Sequence, residues 1–237
     1  MTIKRQRRNR ELHDPALFIK DHLQELRNSL LQYVATLVFF TAIAFYFREE
    51  ISTFLIKPLG TSLYYTSPTG AFSFVFQLSL VTGLAASFPV LLYQILKFIQ
   101  PSLPRKIHFL RMTIFSALLM SIGVLLAYVV LLPASLHVLS LFQSSTLQSF
   151  ITSDSYFRFI VWYLIGFGLV FQIPLVIFTI HTVYPFDRKI ILKNTRYIVI
   201  AILIISAIVT PTTDILNQLI VTGILMVLFI ITLLVLK

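Results

Sequence analysis

The sequence predicts an all-α, polytopic membrane protein with six transmembrane helices and both termini on the cytoplasmic side, or its matrix or stromal equivalent. Three observations predict it. Hydrophobic residues fill 57% of the 237 positions and charged residues only 12%, and the mean hydropathy is +0.89, far from the usage of soluble domains. The apolar residues gather into six runs, most of them near the ~20 residues a helix needs to cross a hydrocarbon layer about 30 Å thick. The basic residues fall almost wholly into alternate gaps between those runs, which is the pattern that orients a membrane protein.

Residues 1–28 form a basic, amphipathic segment ahead of the first run. Asp21 followed three residues later by Gln24 has the spacing of a capping box, and Leu23, Leu26, Leu30 and Val34 recur at three- and four-residue steps. A helix is therefore expected to start before the bilayer, with Glu25 one turn beyond Asp21 and Arg27 on another face. The spans are expected at Leu30 to Phe47, Ala71 to Leu96, Met112 to Ala134, Phe159 to Val183, Tyr197 to Val209 and Ile215 to Leu236. The fifth is short for a span, roughly 20 Å of helix, unless Ile190 to Arg196 extends it with snorkelling Lys193 and Arg196. The brief link Thr210 to Asp214 makes the fifth and sixth helices antiparallel neighbours, and Asp214 is placed to cap the sixth. Pro58, Pro89, Pro101, Pro133, Pro174 and Pro211 are expected to set turns and kinks. Neither a repeat nor a low-complexity segment is visible, so residues 1–237 read as a single transmembrane domain.

Sixteen of the 19 Lys and Arg lie in the N-terminal segment, in the second and fourth gaps, or at Lys237, while Arg48, Lys57 and Arg158 lie on the opposite side. The positive-inside rule then places both termini in the cytoplasm or its organellar equivalent. The N-terminal basic cluster reads as topogenic charge near anionic lipid, since no short cleavable apolar segment follows it and Glu11, Asp14, Asp21 and Glu25 argue against a transit peptide. A net charge of +10 does not here signal nucleic acid, because the basic residues carry no aromatic or Gly-rich binding motif among them. With no cysteine there is no disulfide framework, no Cys-based metal site and no thiol nucleophile, and no cofactor or metal is expected.

The stretch HLQELRNSLL, His22 to Leu31, resembles the opening block of the TatC family, the membrane receptor subunits of the twin-arginine protein translocase. IKPL (Ile56 to Leu59), TSPTGAF (Thr66 to Phe72), FPVLLYQILKFIQPSL (Phe88 to Leu103), FGLVFQIPL (Phe167 to Leu175) and TPTTDILNQ (Thr210 to Gln218) look like further blocks of that family in order. The resemblance covers about residues 17 to 236. It implies a chain that makes and breaks no bonds. Such a chain binds precursors whose signal peptides carry an arginine pair, assembles with single-span TatA/TatB-type partners and further TatC copies, and moves folded cargo by proton-motive force. It further implies that signal-peptide contacts fall on Asp21, His22, Glu25, Arg27, Phe98 and Pro101, with Glu25 matching the family's recognition acid. A guanidinium fork suits a carboxylate better than a lysine does.

Two departures stand out. Ile107 occupies the place of the family's second recognition acid, and no acid occurs between Glu50 and Asp154. Gln172 stands where many relatives have a membrane-embedded glutamate, and both partner docking and internal bracing fit an amide at that depth. Gln172, Gln218 and Asp214 are the residues expected at a partner contact. The membrane is a bacterial cytoplasmic membrane, a mitochondrial inner membrane or a thylakoid membrane. The runner-up reading is a small-solute or ion-coupled transporter. It sits poorly with spans one to four and six, which carry no Asp, Glu, Lys or Arg in their middles. His137 and His181 lie near helix ends rather than as an axial haem pair.

Overall fold

A backbone inside hydrocarbon has no water to bond, so each apolar run must satisfy its own N–H and C=O groups as helix. The computed structural model describes residues 15–61, 63–100, 108–141, 150–185, 194–210 and 214–235. The helices there are α1 (Pro15–Tyr46), α2 (Arg48–Ile56), α3 (Gly70–Ile99), α4 (Phe109–Leu126), α5 (Leu132–Ser140), α6 (Ser153–Val170), α7 (Ile173–Val183), α8 (Thr195–Val209) and α9 (Ile215–Val235). Among the described residues, extended pairing is confined to a bridge between Tyr64 and Thr152, where the Ser153 N–H donates to Tyr64 O at 2.8 Å.

Among the described residues five stretches are long and apolar enough to cross a membrane: Leu23–Tyr46, Gly70–Ile99, Phe109–Ser140, Ser153–Val183 and Ile215–Leu234. The remaining expected span, the fifth, is α8, apolar but only 15 residues long. Its neighbour in space is α9, as the short link required, and the Ser206 and Thr222 hydroxyls meet at 2.8 Å between them. Asp214 caps α9: its Oδ1 accepts from the Asn217 N–H at 2.7 Å and its Oδ2 from Asn217 Nδ2 at 2.9 Å.

Three expectations need correction. The first helix does start ahead of the membrane, but at Pro15, a residue suited to a first helical turn. Asp21 is therefore an interior position and not the N-cap that the Asp21–Gln24 spacing suggested. Second, Arg48–Ile56 is a helix of its own, α2, although its apolar content is too low to have marked a span. Third, two spans are interrupted. Between α4 and α5 the chain widens into a π-helical turn, Ala127–Leu131, just ahead of Pro133, whose ring and missing N–H forbid the regular bond to the preceding turn. Between α6 and α7 the helix breaks at Phe171 and Gln172, with the Gln172 N–H bonded to Leu169 O at 2.9 Å and Pro174 in the first turn of α7. Pro89 instead sits inside a continuous α3, and Pro58 lies in the 3-10 turn Lys57–Leu59, closed by Gly60 at φ 68°.

The most extensive helix pair is α1 with α3, followed by α4 with α6 and α3 with α4. Both leading pairs close over glycine. A Cβ at Gly83 would stand 2.3 Å from Thr41 Oγ1 and 2.8 Å from the Thr41 backbone, and one at Gly123 would stand 2.8 Å from Phe167 O. The largest core cluster joins the π turn, α6, α8 and α9 through Ala127, Leu131, Tyr163, Phe167, Ile202 and Val221. A second, Leu55, Leu78, Leu132, Tyr156, Phe157 and Ile160, binds α2 to the bundle. Two phenols fasten α2 further: Tyr128 donates to Phe54 O at 2.6 Å and Tyr156 to Leu55 O at 2.7 Å.

Candidate functional site

The polar residues that open α1 fall on one stripe. Glu25, Asn28, Ser29 and Gln32 recur at steps of three and four, so they share a helix face. That face meets the last turn of α3. Together with Gln24 and Lys97 they line a cavity of about 360 Å³. Glu25 is half-buried and Lys97 exposed, and among the described residues no ion pair within 4.0 Å joins them. The carboxylate is thus held beside neutral amides and a hydroxyl, open to a donor arriving from solution. This end of the bundle is the one that the charge distribution assigns to the cytoplasm.

Gln172 behaves differently. It sits at the α6–α7 break, 5% exposed. Its Oε1 accepts from Ser116 Oγ at 2.8 Å, and its Nε2 faces Ser116 O at 3.3 Å and Gly168 O at 3.4 Å. The amide spends both ends on α4 and on its own helix, so of the two uses open to it the structure contains internal bracing. A glutamate there could accept the serine bond but could not also donate to two carbonyls while ionised.

On the opposite side of the molecule an apolar hollow of about 380 Å³ lies between α2, α3, the π turn and α6. Phe54, Leu78, Val81, Tyr128 and Ile160 are among its walls, and Glu50 is the charged residue on its lining. Phe54 and Tyr128 stack there with ring centroids 4.2 Å apart.

Of the residues expected at a signal-peptide contact, Glu25 lines the polar pocket, and Phe98 is half-buried directly after Lys97. Arg27 is exposed and is not on the pocket lining. Asp21 and His22 belong to α1, but their side chains lie outside the description, and Pro101, Ile107 and Pro211 lie outside the described residues. Of the residues expected at a partner contact, Asp214 is a helix cap and Gln172 an internal brace, while Gln218 has a half-buried side chain on the first turn of α9. Sequence reasoning missed four participants. Lys97 was counted only as topogenic charge. Asn28 and Gln32 were passed over although their spacing with Glu25 was visible. Ser116 carried no signal, because its partner is 56 residues away.

Among the described residues the buried polar side chains are Ser, Thr, Asn and Gln, with no Asp, Glu, Lys or Arg among them. The fold and site define a multi-pass helical membrane protein with a surface carboxylate pocket. A family model for TatC, the Sec-independent protein translocase protein, matches residues 21–223. A TatC-like protein of Gracilaria tenuistipitata var. liui, ycf43, is 33% identical over 208 residues, 85% of this chain and 86% of the relative. The Sec-independent protein translocase protein TatC of Carboxydothermus hydrogenoformans is 26% identical, covering 92% of each. A crystal structure of the twin-arginine translocase receptor TatC superposes with a TM-score of 0.77 at 27% identity, over 91% of this chain and 99% of that one. The chain belongs to the TatC family.

Proposed function

We propose that this chain is the receptor and core subunit of a twin-arginine translocase. It takes the arginine pair of a folded precursor's signal peptide at the Glu25 pocket. It assembles with single-span TatA/TatB-type partners and with further copies of itself, and proton-motive force drives transport. The observation that carries the reading is Glu25, a half-buried carboxylate in a cavity otherwise lined by amides, a hydroxyl and one lysine, at the mouth of a membrane helix. A carboxylate so placed offers two oxygens to a guanidinium fork in a charge-assisted, bidentate pair. The neighbouring amide oxygens of Gln24, Asn28 and Gln32 can accept the remaining N–H groups, which suits two adjacent arginines where only one acid is present. Asp21, four residues earlier in the sequence, is the second acid assigned to the contact. Among the three residues assigned to partner contact, the reading rests on Gln218, since Gln172 and Asp214 are committed inside the chain.

The test is signal-peptide crosslinking to Glu25→Ala and Glu25→Lys variants. Both are expected to lose precursor binding while inserting normally, because truncating an exposed or half-exposed side chain outside a network changes stability by under about 0.5 kcal/mol. Crosslinking at wild-type yield in both variants refutes the assignment.

A further inference from the structure

Glu25 does not have its pocket to itself. Lys97 is the basic residue of the last turn of α3, and α3 packs along α1, which brings that turn beside the Glu25 stripe and onto the lining of one cavity. A lysine there has plain uses: it meets the negative end of the α3 dipole and adds to the inward positive charge. Those uses are satisfied anywhere on the last turn. What they leave unexplained is that this lysine shares a cavity of about 360 Å³ with Glu25, the one acid on its lining among the described residues.

We infer that Lys97 is an affinity-setting residue, a built-in competing cation for the Glu25 carboxylate, so that any entering cation binds more weakly than Glu25 alone would allow. The inference rests on the receptor reading of Glu25. The physical argument is short. The lysine stem is flexible and its ammonium is a point charge with rotatable donors, so it can approach the carboxylate whenever the pocket is empty and swing to water when it is filled. With the ion pair open beyond 4.0 Å in the described structure, the pocket is accessible rather than plugged. An incoming single ammonium exchanges one lysine for another and gains little. A guanidinium pair replaces it with planar, bidentate contacts and brings further N–H donors to Gln24, Asn28 and Gln32. The competition and repulsion from Lys97 are felt by both, so they lower both affinities alike, and the preference for an arginine pair comes from its own bidentate contacts.

The experiment uses the full chain in nanodiscs of zwitterionic lipid and two fluorescent signal peptides, one with Arg-Arg and one with Lys-Lys. Lys97→Gln is expected to bind both peptides more tightly at low salt, by about two- to five-fold, the scale of an exposed ion pair. Both peptides should gain by about the same factor. The gain should vanish near 1 M salt, where the screening length shrinks to about 3 Å. Lys97→Arg keeps the competing charge and should give no gain. Equal or weaker binding by Lys97→Gln at low salt, or a gain that persists at high salt, overturns the inference, weaker binding meaning that the lysine holds the peptide or a phosphate instead. Glu25→Gln is measured alongside: undiminished Arg-Arg binding there overturns the receptor reading itself, independently of Lys97.

Discussion

Gly83 shows how little room a residue can have. Helices in lipid gain no hydrophobic advantage from meeting one another, so close backbone approach over small residues supplies much of their association. The α1–α3 crossing is of that kind, with Thr41 so near that a methyl group on Gly83 would overlap its hydroxyl and backbone. The Thr41 hydroxyl is itself buried and unpaired, which makes the contact dependent on fit alone. Gly83→Ala should therefore destabilise the protein by about 1–3 kcal/mol, the usual cost of overpacking, measured by denaturant titration in detergent micelles. Pairing it with Thr41→Ala should recover only part of the loss, because the Thr41 backbone remains in place; unchanged stability in Gly83→Ala alone would mean that the crossing is loose. The same scale explains Gln172. That an amide in the fourth span is unusual was legible in the sequence. That Ser116 would take its oxygen was not, since hydrogen-bond partners between spans are set by packing and leave no periodic trace.

At the scale of elements, apolar runs located the five long apolar stretches and the shorter α8, but not the interruptions. Proline at 133 and 174 marked where helices must yield. Whether each would bend, widen into a π turn or break outright was not legible: at the first, Tyr128 of the π turn donates to Phe54 O of α2, and at the second, Gln172 accepts from Ser116 of α4. Pro89 meets no such partner break and leaves α3 continuous. Caps were more readable, because they are local. Asp214 accepts the Asn217 N–H as the short link and following apolar run suggested. Its replacement by alanine should cost about 1 kcal/mol, read as a lower thermal midpoint of the purified chain. Asp214→Asn should retain most of it, since an asparagine oxygen caps nearly as well. Equal losses in both would point to the charge, not the cap.

For the whole molecule, topology follows from counting charges. Moving so many Lys and Arg across a membrane is costly, and the asymmetry of sixteen against three leaves little choice of orientation. A chain without cysteine makes this easy to test. Thr61→Cys, between α2 and α3, should react with an impermeant maleimide added outside, and His108→Cys, at the start of α4, only with reagent admitted to the inside. The reverse pattern would invert the fold in the membrane and put Glu25 on the wrong side for a signal peptide.

The sequence by itself determined that the chain is helical and membrane-spanning, about where its apolar helices lie, and which carboxylate stands at the first helix. These properties depend on composition, period and local spacing, which a single chain carries in linear order. Only the tertiary structure decided that α2 folds down onto the π turn and that Gln172 braces α4. It alone decided that Lys97 shares a pocket with a glutamate far away in sequence. Those depend on which helix faces lie against each other, and in lipid that choice is made by small-residue fit and a few hydrogen bonds rather than by the hydrophobic pattern that identifies the helices.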